Sequence, residues 1–116
     1  MDERDKKTIS AMIEYIDDAA SHIRHMTLEA FEKDRKTQHA VSFCLQQIGD
    51  ELKNVSPETQ TANPQIPWRA VSGLRNRLVH LYRDVALESV WKFLQRDLPS
   101  LRESLAAILE KDRLMT

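Results

Sequence analysis

The chain has little of what disulfide-stabilised, membrane or β-rich proteins depend on. One of its 116 residues is cysteine, two are glycine and four are proline, and aromatic residues make up 6%. The single Cys44 can form no internal disulfide and no cysteine-based metal framework. No apolar run approaches the length of a membrane span, and the charged first seven residues differ from a secretory signal. We therefore expect one soluble, cytoplasmic domain over residues 1–116, without membrane association.

The residues that are abundant favour helices, because Leu, Ala, Glu, Lys, Arg and Gln dominate while β-branched residues are sparse. Apolar residues recur at i, i+3, i+4 and i+7 in three predicted helices. The first starts near Asp2 or Arg4, the second covers about 35–54, and the last starts near Ala86 or Leu87. Thr27 and Asp34 are predicted helix N-caps. Gly49, inside the second helix, suggests a close helix–helix contact.

Prolines divide the rest of the chain. Three of them between Val55 and Pro67 predict a loop with at most one turn after Ser56, and Pro67 suits the first position of a third helix. Pro99 predicts a kink or a restart in the last helix. The predicted fold is all-α, an antiparallel bundle of four main helices with a kinked last helix.

Positive charge is concentrated between Pro67 and Arg83. This segment has no acidic residue and four arginines: Arg69, Arg75, Arg77 and Arg83. The chain has 17 basic and 18 acidic residues, so the remainder carries 13 against 18. A net charge of −1 argues against a general nucleic-acid coat protein, but the arginine-rich segment suits an anion or a local RNA site.

The same segment contains the pattern R-N-x-x-x-H-x-Y, formed by Arg75, Asn76, His80 and Tyr82. At about 100° per residue, Arg75, Asn76 and His80 share one polar arc of a helix. The opposite side supplies a core stripe: Leu74, Leu78 and Leu81. Asn76 and His80 are i, i+4 neighbours, so the amide can orient the imidazole or share its ligand.

A guanidinium and an imidazole on one arc suit cleavage of RNA phosphodiesters. An unperturbed histidine has a pKa of about 6.5, so His80 can exchange a proton with the 2′-hydroxyl or the leaving oxygen near neutral pH. Arg75 can clamp the phosphate where charge develops in the transition state. The nucleophile would be the 2′-hydroxyl of the RNA itself, which requires neither a protein nucleophile nor a metal.

At these residues the sequence closely resembles the HepT-type toxins of the HEPN superfamily, which share an R-x4-6-H motif. The similarity spans about 28–101 and includes I-G-D-E at 48–51, I-P-W-R at 66–69 and G-L-R-N-R-L-V-H-L-Y at 73–82. The resemblance implies a helical HEPN domain and the toxin of a type II toxin–antitoxin pair. It further implies a metal-independent endoribonuclease without a cofactor, with Arg75 and His80 catalytic and Asn76 orienting.

The resemblance also implies two protein partners. One is a second copy of the chain, with the two motif helices facing each other, and the other is an antitoxin of the MNT nucleotidyltransferase type. Such antitoxins can transfer AMP from ATP onto the motif tyrosine, here Tyr82. The family usually has Glu after the I-G pair; here Asp50 stands there and Glu51 follows, so either acid can support His80.

Other interpretations stay open for several residues. The chain could be a non-catalytic helical HEPN subunit that binds nucleotide or scaffolds a nucleotidyltransferase, with Tyr82 as the substrate residue. Arg69, Arg77 and Arg83 could contact RNA, the antitoxin or surface carboxylates. Five further residues are predicted to be structural, the histidines at the surface and the tryptophans in a core or dimer interface: His22, His25, His39, Trp68 and Trp91.

Overall fold

The computed structural model describes residues 1–74, 76–78 and 86–115, and every regular element in these ranges is helical. The elements in chain order are α1 (Glu3–His22), α2 (Leu28–Glu32), α3 (Arg35–Leu52), α4 (Pro57–Ala62), α5 (Trp68–Ser72), α6 (Leu87–Lys92), a π-helical turn (Phe93–Asp97) and α7 (Leu98–Met115). Residues 74 and 76–78 are also helical. The prediction of an all-α fold is confirmed.

Short polar side chains start four of these helices. Asp2, Thr27, Asp34 and Ser56 each accept a hydrogen bond from the backbone N–H three residues further on, which satisfies one of the free donors of the first turn. The predicted caps Thr27 and Asp34 are therefore confirmed. The single turn expected after Ser56 is α4. The second predicted helix ends at Leu52 rather than at residue 54.

The long helices α1, α3 and α7 pack around one core, and their contacts give their directions. The start of α1 meets the end of α3, where Asp5 contacts Ser56, while Tyr15 accepts a 3.4 Å hydrogen bond from Gln47 further back along α3. α1 and α3 are therefore antiparallel. The most deeply buried large side chains of the core are Phe31, Ile9, Met12, Leu45, Ile48, Leu98, Leu105, Val41 and Val90.

Ion pairs fix α7 against α1 in the same way. Arg102, near the start of α7, donates to both carboxylate oxygens of Asp17 at 2.6 and 3.1 Å. Near the other end, Asp112 accepts from Lys6 at 3.1 Å and from the amino group of Met1 at 3.2 Å. Because a late residue of α7 meets an early residue of α1, these two helices also run antiparallel. Within the described residues no helix is both long and apolar enough to cross a bilayer.

A buried carboxylate joins α1 to α4. Asp5 is 1% exposed and accepts hydrogen bonds from the backbone N–H of Ser56 at 3.0 Å, from the Ser56 hydroxyl at 2.6 Å and from the Thr59 hydroxyl at 2.5 Å. Burial by itself raises the pKa of the Asp5 carboxyl, but the hydrogen bonds from Ser56 and Thr59 together outweigh it and leave the pKa below its ordinary value.

The last helix is interrupted, but before Pro99 rather than at it. Phe93–Asp97 forms a π-helical turn in which the N–H of Leu98 bonds the carbonyl of Phe93, five residues back, and α7 then runs through Pro99. Proline has no N–H to give to the carbonyl four residues earlier, and a π turn rearranges the ladder at that point. The interruption that was predicted at Pro99 therefore takes the form of a wider helical turn just before it.

Candidate nucleic-acid interface

The segment that leads into the motif is anchored by Trp68. Its indole N–H donates to the carbonyls of Gln60 at 3.1 Å and Asn63 at 2.9 Å, which ties α5 to the end of α4. Pro67 is the N-cap of α5 and Trp68 its first residue, so the expectation that Pro67 opens the helix is off by one. The preceding Ile66 is buried, so this end of the segment is held by both core packing and hydrogen bonds.

Gly49 brings α3 unusually close to α5. A Cβ at Gly49 would lie 3.2 Å from the carbonyl oxygen of Val71 and 3.8 Å from Cβ of Leu74. The contact predicted from Gly49 is therefore confirmed, and its partner is the stretch just before Arg75. Only a residue without a side chain fits there without moving the backbone of α5.

Asp50 and Glu51 follow Gly49 on α3 and are both half-buried. Their helix packs against α5 through Gly49, so these carboxylates belong to the turn of α3 next to the segment that leads into the motif. One oxygen of Asp50 is 3.9 Å from the ammonium of Lys53. That either acid supports His80 stays a prediction.

The described part of the motif helix separates polar from apolar residues as the pattern predicts. Leu74 and Leu78 are buried at 4% and 3% exposure, while Asn76 and Arg77 are exposed. The N–H of Arg77 bonds the carbonyl of Gly73 at 3.1 Å, which continues the helical turn past Arg75. Arg69 of α5, which is also a predicted contact residue, is exposed as well.

Four of the predicted site residues lie outside the described residues: Arg75, His80, Tyr82 and Arg83. The convergence of Arg75 and His80 on one phosphate, and the position of Tyr82 beside them, therefore stay predictions. The described residues give the framework around them, which is a helix buried on its leucine side, backed by α3 and presenting Asn76 and Arg77 outward.

A groove beside this helix was not predicted from the sequence. It has a volume of about 240 Å³ and lies between α5, Arg77 and the last helical stretch, with Pro67, Ala70, Phe93, Asp97 and Ser104 among its lining residues. Arg77 is tied to α5 on one side of the groove, because one guanidinium nitrogen donates to the carbonyl of Ala70 at 2.9 Å. Val90, Leu94 and Leu98 are buried at a spacing of four, which drifts by about 40° per step on a regular α-helix, and the wider π-helical turn offsets this drift. The spacing alone also fits an ordinary amphipathic helix, so it did not predict the turn.

The other histidines, the two tryptophans and the cysteine have surface or packing positions rather than a place in the candidate site. His22, His25 and His39 are exposed, as predicted. Trp91 packs on Phe31 with ring centroids 5.4 Å apart, and Trp68 packs at the core edge, so the core assignment holds for both. Cys44 is buried, and burial, with a smaller contribution from Asp18, raises the pKa of its thiol, which makes it a poor nucleophile.

Comparison with known proteins finds relatives that are all named as ribonucleases. A family model described as "Ribonuclease HepT-like" matches residues 12–108. A Thermococcus cleftensis protein named "Probable ribonuclease HepT" is 35% identical over 77% of this chain and 87% of its own. A Methanocaldococcus jannaschii protein named "Putative RNase MJ1216" is 28% identical over 95% of this chain and 92% of its own. No solved structure matches.

Proposed function

Because the chain belongs to the HepT-like ribonuclease family, we propose that it is a metal-independent endoribonuclease and the toxin of a toxin–antitoxin pair. The observation that carries this proposal is the R-N-x-x-x-H-x-Y pattern, together with the helical residues 74 and 76–78, of which Leu74 and Leu78 are buried and Asn76 is exposed. These described residues support the proposal because positioning for catalysis requires a fixed framework next to the reacting groups.

In the proposed reaction the RNA attacks itself. His80 takes the proton of the 2′-hydroxyl, and the 2′-oxygen forms a bond to phosphorus while the bond to the 5′-oxygen breaks. The leaving 5′-oxygen takes a proton from water, and the protonated His80 returns its proton to the solvent. The products are a 2′,3′-cyclic phosphate and a 5′-hydroxyl. Arg75 holds the phosphate oxygens as negative charge grows on them, Asn76 orients the imidazole of His80, and Asp50 or Glu51 stabilises the imidazolium that forms when His80 takes the proton.

The proposed antitoxin silences this site chemically. A nucleotidyltransferase of the MNT type would direct the phenolic oxygen of Tyr82 onto the α-phosphorus of ATP, so that pyrophosphate leaves and the phenolic proton is lost. The added AMP carries a phosphodiester anion and a purine. Both would occupy the place of the RNA phosphate beside Arg75 and His80, blocking it by size and by charge.

Expression in cells tests toxin and antitoxin together. The chain alone should arrest growth, and co-expression with an MNT-type nucleotidyltransferase should restore growth and add the mass of one AMP. His80→Ala should be harmless, whereas Tyr82→Phe should stay toxic and unmodified. The matched controls His39→Ala and Tyr15→Phe should behave as the wild type. A folded His80→Ala variant that still arrests growth would reject the catalytic role and leave the scaffold interpretation.

A further inference from the structure

The groove between α5 and the π-helical turn is a built concavity next to the proposed cleavage site, and no role in the RNA reaction has yet been given to it. It is open to solvent, has a volume of about 240 Å³, and is lined by both helical segments and by Gln65 and Pro67 of the loop before α5. Ligand pockets for drug-sized molecules are usually about 300–1,000 Å³. The groove therefore suits something smaller, of the size of one nucleobase.

The groove offers the three contacts that single-stranded RNA uses. Phe93 is a half-buried aromatic ring on which a base can stack, and Arg77 carries a positive charge for a phosphate. Asp97 adds a carboxylate that only accepts hydrogen bonds. Asp97, Ser100 and Ser104 line the groove, and no side-chain hydrogen bond or ion pair joins them to another of the described residues.

Asp97 determines which base fits best. A carboxylate has two acceptor oxygens side by side, and guanine presents two neighbouring donors, N1–H and the N2 amino group, on its Watson–Crick edge. Adenine has an acceptor at N1 and no amino group at C2, so it would face the carboxylate with a lone pair. Phe93 and Asp97 are four residues apart on the same turn, which lets one stack on the base while the other reads its edge.

The groove is also continuous with the motif. Arg77 lines the groove and is three residues from His80 in the chain, and on the helix that the sequence predicts, positions i and i+3 are neighbours on one face. A base held in the groove would therefore belong to a nucleotide close to the phosphate that Arg75 and His80 are proposed to cleave. We propose that the groove of Arg77, Phe93 and Asp97 is a guanine-selective base subsite, an inference that rests on the proposed ribonuclease function.

Binding of uncleavable RNA tests the subsite separately from catalysis. Short single-stranded oligonucleotides with 2′-O-methyl groups cannot react through their 2′-oxygen, so their affinity can be measured by fluorescence anisotropy. One guanosine in a uridine tract should bind the wild type about tenfold more tightly than adenosine at the same place, as expected for one good bidentate base contact. Asp97→Asn replaces one of the two acceptor oxygens by an NH2 donor, and Ala70→Phe fills the groove. Each should reduce this preference to less than twofold.

Matched variants exclude general effects of charge and bulk. Glu103→Gln on α7 and Ala20→Phe on α1 change exposed residues that do not line the groove, and both should keep the tenfold preference. A wild type without preference, or a preference that survives both groove variants, would overturn the subsite. So would an Ala70→Phe variant that loses only the antitoxin, because the groove would then be a protein contact.

The two proposals can fail separately. If the wild type prefers guanosine in binding but does not cut unmodified RNA, the subsite stands and the ribonuclease proposal fails. If it cuts RNA without any effect of Asp97→Asn on binding or on cleavage position, the ribonuclease proposal stands and the subsite fails.

Discussion

Asp5 accepts several buried hydrogen bonds that the sequence analysis did not predict. Three donors from Ser56 and Thr59 converge on a carboxylate that is 1% exposed. Asp5→Ala would leave these donors without an acceptor in a buried place, and we expect the free energy of unfolding to fall by about 3 kcal/mol. Urea denaturation measures it. Asp18→Asn, an exposed carboxylate of the same helix, should change the value by less than about 0.5 kcal/mol.

The same carboxylate makes stability depend on pH in a defined direction. The pKa of Asp5 is lowered in the folded protein, so the unfolded chain binds the proton more readily. Its contribution is complete above the ordinary value of 3.8 and is lost as the pH falls from there through the lowered pKa. The difference in unfolding free energy between wild type and Asp5→Asn should therefore shrink below pH 3.8. A difference that grows on acidification would contradict this linkage.

At the scale of elements, the close approach of α3 and α5 predicts opposite effects at the two glycines. At Gly73 a Cβ would be 3.6 Å from its nearest neighbour and φ is −85°, so Gly73→Ala should stabilise by about 0.5 kcal/mol through the unfolded state. A Cβ added at Gly49 would lie only 3.2 Å from the carbonyl oxygen of Val71. We expect Gly49→Ala to show no such gain and to be the less stable of the two by about 1 kcal/mol.

Thermal unfolding of both variants decides this, since they differ from the wild type by the same methyl group. Equal stabilisation would mean that α5 moves away freely and that Gly49 does not set the distance between the helices. Equal stabilisation would also remove the reason to link α3, with Asp50 and Glu51, to the motif segment.

The sequence predicted the elements whose causes are local. Asp34 caps α3 through its own side chain, and the burial of Leu74 and Leu78 follows from helical spacing. The π-helical turn is different, because it depends on how Val90, Leu94 and Leu98 must align against the rest of the core. The groove that this turn lines was therefore missed, although Pro99 marked the region.

At the scale of the whole molecule, we propose that two copies of the chain act as a pair. The resemblance to HepT-type toxins implies that two motif helices face each other, and we expect a mass near twice 13.5 kDa by sedimentation at micromolar concentration. Ala20→Phe, on the exposed side of α1, should leave this mass unchanged. A purified protein that sediments as a monomer would reject the dimer and require each chain to hold a complete site.

The most direct test of the central claim is cleavage of RNA by the purified protein in EDTA. The wild type should cut RNA and leave 2′,3′-cyclic phosphate ends, and Arg75→Ala/His80→Ala should lose at least about 100-fold in rate. His22→Ala/Arg24→Ala removes the same residue types from the exposed end of α1 and should cut as the wild type does. Undiminished cleavage by the motif variant, or none by a wild type whose mass shows no added AMP, would contradict the account.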